Sequence, residues 1–308
     1  MKRIVIIALA AFFFLGTASL SAEAEKVKVD VYVVNVSKLD LAAGKYTANL
    51  EISLAPAGGA KEVPAFDLLN GEFEGGKVEE TTDSDDAASG IRTYKATANL
   101  EFDPDFSRFP WDHQDLSIML MVEGKKVDQV QFEAVHSEDE SIAERANFPG
   151  WRIEHGEPSI SETSLGDPKD KFSVYTFPIV ISRNPLASFM KVFFPLIVMI
   201  IISFLAVFVG IGAVANRLTI VTGTLLGAVM FHLNATSSLP QIGYLTLADK
   251  VFMMTYISFL LNLGFTMIMW KKNESKQEEA VKKLYKIALY AVPGISAVLY
   301  IVTLLGIV

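Results

Sequence analysis

Histidine, cysteine, serine and paired carboxylates carry most protein chemistry, and their spacing in this chain points away from catalysis. The four histidines (His113, His136, His155, His232) include no pair at metal-ligand spacing, and there is no cysteine. Thiolate-held zinc, iron–sulfur clusters and disulfides are excluded together. With no nucleophile motif and no glycine-rich phosphate loop, neither an enzyme nor a cofactor is expected. The acidic runs Asp83–Asp86 and Glu138–Glu140 read most simply as solvated turns, with weak calcium binding as the alternative. The most suggestive spacing belongs instead to Thr219, Gly223, Leu226, Met230, Leu233 and Ser237, at steps of 4, 3, 4, 3 and 4. These six share one helical face, small or polar at its ends and apolar between. Such a face suits a water path with a hydrophobic constriction, or a packing surface in which small residues let helices approach; composition leaves both open. His232 stands one position off this stripe, an ionisable group in an apolar segment and so a candidate for sensing pH.

The elements that must position these residues divide by solvent. The whole chain has 308 residues, 51% of them hydrophobic, and a net charge of −8. Its mean hydropathy is +0.35. The acidic balance argues against a nucleic-acid partner, which requires a basic face. Residues 1–24 resemble a signal peptide: Lys2 and Arg3, an apolar run from Ile4 to Leu15, then small residues ending at Ala22-Glu23-Ala24. That run is short of the ~20 apolar residues a spanning helix needs. Residues 25–183 hold 30 acidic and 16 basic side chains and alternate with period two, as in Val27, Val29, Val31 and Val33. The same rhythm recurs around Thr47–Leu54, Tyr94–Phe102, Leu116–Val122, Val127–Phe132, Trp151–Glu154 and Phe172–Ile181. An exported all-β, immunoglobulin-like sandwich of about ten strands is expected.

Residues 184–308 predict four transmembrane helices at about 187–211, 216–237, 248–270 and 286–308. Lys271–Lys286, with six lysines and three glutamates, reads as a cytoplasmic loop. Leader and loop agree on a multi-pass inner (plasma) membrane protein whose amino-terminal domain is periplasmic or extracellular.

The stretch Phe106-Ser107-Arg108-Phe109-Pro110-Trp111-Asp112-His113-Gln114-Asp115-Leu116 resembles the Phe-Pro-Phe-Asp-x-Gln signature of the pentameric ligand-gated ion channels, the Cys-loop receptor superfamily. Phe102 and Leu116 stand where animal members carry the loop's cysteines, as in the bacterial branch. Arg183-Asn184-Pro185, Pro195, Leu239-Pro240, Tyr244 and Asp249 continue the resemblance in order. It implies a homopentamer in membrane lipid, passing monovalent ions along a pore lined by the second helix. Counted from Arg217, the pore rings fall on Thr219, Gly223, Leu226, Met230, Leu233 and Ser237, with Leu226 as the central gate. It also implies coupling between domains through Asp40, Phe109, Pro110, Trp111, Asp112, Arg183, Leu239 and Pro240, with Asp40, Asp112 and Arg183 as a charge cluster.

The chain departs from the family around the agonist site. Leu54–Pro64 runs almost directly into Phe66–Asn70, without the usual tryptophan-bearing stretch. Glu123 replaces a tryptophan of the aromatic cage, leaving Phe148, Phe172 and Tyr175 as further ligand candidates beside the loop Ser161–Lys171. The expected effector is a simple amine, a proton or a divalent cation. Ala213–Asn216 lacks the glutamate ring of cation channels, and there is no Pro-Ala insertion of the anion type. Five acidic domains would still concentrate cations above the pore, so weak cation selectivity is expected. The alternative is a non-conducting sensor with a four-helix anchor.

Overall fold

The computed structural model describes residues 24–57, 62–135, 142–143 and 150–306. All of the expected leader but its last residue lies outside them, as do His136 and Phe148. Thirteen strands precede four long helices. The longer strands are β1 (Glu25–Asp40), β2 (Lys45–Ala57), β6 (Arg92–Glu101), β8 (Ile118–Val122), β9 (Val130–Ala134), β10 (Trp151–His155), β11 (Ser159–Ser164), β12 (Lys171–Phe177) and β13 (Ile179–Arg183). Four short ones, β3 (Phe66–Leu68), β4 (Gly71–Phe73), β5 (Glu79–Glu80) and β7 (His113–Asp115), exceed the expected count because two or three residues show no period. The expected turn at Asp83–Gly90 holds a single helical turn, Ser84–Ala88.

The strands form three sheets, ordered β4-β6-β2-β1-β9 (with β5 also on β6), β10-β13-β7 and β11-β12-β8-β3. Pairing is antiparallel except between β1 and β9. All three sheets contribute to one apolar core. Val27, Val29, Val31 and Val33 of β1 meet Leu50, Ile52, Ile118, Leu120, Phe177 and Ile181, all at most 1% exposed. Period-two alternation therefore translates directly into burial.

The helices are α1 (Pro185–Phe208), α2 (Val214–Thr236), α3 (Leu247–Glu274) and α4 (Glu278–Leu304), each long and apolar enough to cross a membrane. Asn184 caps α1, its side chain accepting the Ala187 N–H at 3.1 Å. α1 widens into a π turn over Phe189–Phe193, and the Phe194 N–H donates to the Phe189 carbonyl. Pro195, which has no N–H to give, follows directly. The expected loop Lys271–Lys286 is corrected: α3 runs on to Glu274 and α4 begins at Glu278, leaving a three-residue link. Lys271 and Lys272 lie in the last turn of α3, and Glu278 and Glu279 in the first turn of α4. Both placements complement the helix dipoles, so these charges prolong the helices.

Asp30 on β1 is half-buried, and burial holds its carboxyl above the ordinary range, opposed by the Val31 backbone N–H. Below about pH 3.8 the group is neutral whether folded or unfolded; above it the folded state alone resists ionisation. This site's contribution to stability therefore falls as pH rises from the ordinary carboxyl value through the raised one. Asp30→Asn should raise the melting temperature at neutral pH, and the gain over wild type should vanish in acid. Melting curves of both proteins across that window check this.

Candidate functional site

The loop between β6 and β7 is closed at its neck by Tyr46. The Tyr46 ring meets Phe102 edge-on at 6.0 Å, and its hydroxyl donates to the Leu116 carbonyl. Phe102 N–H donates to the Gly44 carbonyl (2.8 Å) and Leu116 N–H to that of Ile179 (2.7 Å). Thus Phe102 and Leu116, which by the resemblance stand where animal members carry cysteines, are joined through one buried tyrosine on β2. Inside the loop Gln114 acts as a spacer. Its Oε1 accepts the Asp105 N–H, and its Nε2 donates to the Asp105 carbonyl and to Asp112 Oδ2, each at 2.9 Å. Asp105 in turn caps Ser107 (2.8 Å), and that bond holds its carboxyl below the usual range.

Asp112 is buried, its side chain wholly hidden, and its Oδ1 accepts Arg183 Nε at 2.7 Å. The guanidinium lies 4.4 Å from the Trp151 ring centre and 5.3 Å from that of Phe109. A carboxylate with one charged and one neutral donor, and a cation against two aromatic faces, both retain favourable partners out of water. Asp40 is not part of this group. Its Oδ1 accepts the N–H groups of Ala42 and Ala43 at 3.0 Å, and it forms no ion pair among the described residues. The expected three-member cluster is corrected to a pair, because the turn's own backbone donors already occupy the Asp40 carboxylate. The neighbouring Leu41, absent from the expected set, packs against the apolar cluster at the top of the helices.

The loop seats on those helices. Phe106 and Phe109 are buried against Val192, Phe193, Leu196, Ala248 and Phe252. Trp111 Nε1 donates to the Pro185 carbonyl (3.2 Å) and its ring lies 5.0 Å from Phe193. The carbonyls of Ser107 and Phe109 accept the N–H groups of Leu247 (2.9 Å) and Ala248 (3.0 Å), and the Phe106 N–H donates to the Tyr244 hydroxyl (2.9 Å). Pro110, joined to Phe109 by a cis bond, lines a cavity of about 330 Å³ with Arg183, Lys191 and Phe231. Leu239 packs on the same cluster, its N–H donating to the Thr236 carbonyl at 3.0 Å; Pro240 beside it is half-buried.

A second group lies just below. Thr246 caps α3 in a reciprocal box with Asp249: Asp249 Oδ2 accepts the Thr246 N–H at 2.8 Å and Thr246 Oγ1 accepts the Asp249 N–H at 3.1 Å. The other oxygen, Asp249 Oδ1, lies 2.7 Å from His232 Nε2 on α2. His232 Nδ1 is 2.9 Å from the Tyr256 hydroxyl, and the imidazole stacks on Phe252 at 4.3 Å. One carboxylate thus ties α2 to the first turn of α3. The spacing Thr246-x-x-Asp249 is a legible capping signal; its link to His232 depends on how α2 and α3 pack.

On α2 the stripe Thr219, Gly223, Leu226, Met230, Leu233 and Ser237 is exposed throughout, with Leu226 at 65%, Met230 at 61% and Leu233 at 62%. Arg217, Val221 and Ala228 on other faces are buried. Thr219 Oγ1 donates to the Ala215 carbonyl at 2.9 Å, and Ser237 Oγ to that of Asn234 at 2.8 Å. The central window of α2 is 11% buried against 33%, 44% and 22% for the other three helices. The rest of the chain leaves this face uncovered.

The β-domain candidates differ in exposure. Glu123 is exposed and Phe172 half-buried, while Tyr175 is fully buried in the core of the β-domain. Tyr175 is corrected to a core residue, since the period that buries Phe177 buries it too. Its hydroxyl has no hydrogen-bond partner, and burial pushes its pKa far up. A cavity of about 960 Å³ lies between Tyr32, Glu51, Glu79 and Lys95 and includes none of these candidates. Among the described residues no group of three or more His, Asp or Glu is placed to hold a metal.

Compared with known proteins, the chain matches no protein-family model and no curated protein.

The pair and the turn make different demands. Asp112→Ala strands a partly buried arginine and should cost about 3–5 kcal/mol. Asp40→Ala removes one cap of an exposed turn and should cost about 1 kcal/mol. Thermal unfolding of both variants in detergent measures the contrast; equal losses would contradict it.

Proposed function

We propose that this chain is one subunit of a pentameric ligand-gated ion channel, its amino-terminal sandwich immunoglobulin-like and outside the cell membrane, its second helix lining the pore. The observation that carries this reading is the uncovered stripe of α2. A helix in lipid gains nothing by keeping Thr219, Gly223 and Ser237 uncovered at the ends of an otherwise apolar face, whereas a ring of such helices encloses water. Five copies would stack rings of hydroxyl, small, leucine, methionine, leucine and hydroxyl groups, with Leu226 forming the narrow apolar gate. The β6–β7 loop seated on the start of α3 supports a coupling role, since movement of the β-domain would pull directly on the helix ends. Effectors of the proton class are favoured over amines by the His232–Asp249 contact, because Tyr175 is withdrawn from any surface cage. Weak cation selectivity follows from the acidic charge of the outer domain.

Single-channel recording of the full chain in planar bilayers, at a series of pH values and with amines and divalent cations added, tests the proposal. Steps of unitary current are expected, with reversal potentials in salt gradients tracking the cation. Current-free bilayers under every condition would favour the non-conducting sensor. Leu226→Ser wets the apolar ring, so open probability should rise at any given effector level. A second outcome concerns His232, whose ring nitrogens lie against Asp249 and Tyr256. His232→Phe should shift the pH–current curve, and an unchanged curve would remove the histidine from gating.

A further inference from the structure

At the helix ends remote from the β-domain, the link after α1 and one face of α4 enclose a cavity of about 730 Å³. Its walls combine two kinds of side chain. Lys282 and Lys286, one turn apart on α4, are exposed, and no carboxylate lines the cavity with them. Among the described residues neither lysine takes part in an ion pair. The other walls are apolar or aromatic: Phe208, 64% exposed, with Leu289 and Tyr285, and Tyr290, 76% exposed.

Behind the same wall lies a third cation. Arg217, at the start of α2, is completely buried. Its Nε donates to the Ala206 carbonyl at 2.9 Å and one terminal nitrogen to the Val207 carbonyl, the two residues just before Phe208. The other terminal nitrogen has no hydrogen-bond partner, and no acid pairs with the guanidinium among the described residues. Tyr285, which lines the cavity, is within its electrostatic reach. An unpaired guanidinium in an apolar setting is costly.

We propose that this cavity binds an anionic glycerophospholipid of the leaflet remote from the β-domain, its phosphate between Lys282 and Lys286 and its acyl chains along Phe208 and Leu289. Two exposed lysines in a cavity lined by no carboxylate call for an anion, and the exposed Phe208 and Tyr290 call for hydrocarbon beside it. Tyrosines and lysines at the end of a spanning helix match the depth at which lipid phosphates lie. A soluble phosphate would satisfy the charges and leave the aromatic rings in water. The inference rests on the four helices spanning a bilayer, and is independent of whether the chain conducts ions.

The test uses the full chain, reconstituted and co-floated with vesicles of phosphatidylcholine containing a minor share of phosphatidylglycerol. Failure to co-float even with pure phosphatidylcholine would overturn the membrane reading itself, before any lipid preference is measured. The protein is then extracted, and the lipid it retains is counted by native mass spectrometry. Retention of phosphatidylglycerol over phosphatidylcholine is expected. In K282Q/K286Q that preference should fall by about 25-fold, each lysine near a membrane surface being worth roughly fivefold. K271Q/K272Q removes the same charge from the end of α3, outside the cavity, and should keep the preference. Equal losses in the two double variants would mean diffuse attraction to anionic lipid and would overturn the site. Displacement of the retained lipid by excess inorganic phosphate would assign the cavity to a soluble anion and overturn the lipid reading.

Discussion

A helix that begins at a membrane surface leaves its first N–H groups without partners, and the junction of this protein is organised around satisfying those of α3. The Leu247 and Ala248 donors are taken by the Ser107 and Phe109 carbonyls of the β-domain loop, and the Asp249 donor by Thr246 within the helix itself. Backbone bonds of this kind fix both position and direction, since a displacement of one ångström or so removes them. The loop therefore cannot move far without either carrying α3 with it or exposing donors in a partly apolar setting.

Everything packed around the loop keeps it in the shape that makes those bonds. Tyr46 holds the neck, Gln114 spaces Asp105 from Asp112, and Arg183 neutralises Asp112 while ending the last strand. The next residue, Asn184, caps α1, so the end of the β-domain and the start of the long apolar helices are consecutive in sequence. Covalent and hydrogen-bonded routes thus join the domains, among them Arg183–Asn184 into α1, Trp111 onto Pro185 of α1, and Ser107–Phe109 onto α3. Asp249 extends the route onto α3 to α2 through His232. The uncovered helix is thereby tied to the domain above it, while its own exposed face is left open by the described residues.

The sequence alone determined the division into an alternating β half and a hydrophobic helical half, because period-two burial and long apolar runs are local properties of the chain. The helical stripe of α2 was legible for the same reason, and its six members are all exposed. Boundaries set by charge were less legible. Lys271–Lys286 reads as a loop by composition, yet its lysines and glutamates lie at helix ends where the dipole favours them. The stretch Phe106–Leu116 marked the loop that seats on the helices, including Asp112, but not what closes it.

Only the tertiary structure decided which polar groups meet. Tyr46 reaches a carbonyl 70 residues away, Ser107 accepts from Leu247, and His232 meets Asp249 from a different helix. No local period encodes such contacts, since each depends on the register between elements distant in sequence. Asp40 and Tyr175 illustrate the converse. Their residue types suited a charge cluster and a ligand cage, but a competing set of turn donors captured one and the core face of β12 buried the other. Local sequence sets which face a side chain occupies; packing in three dimensions sets what stands opposite it.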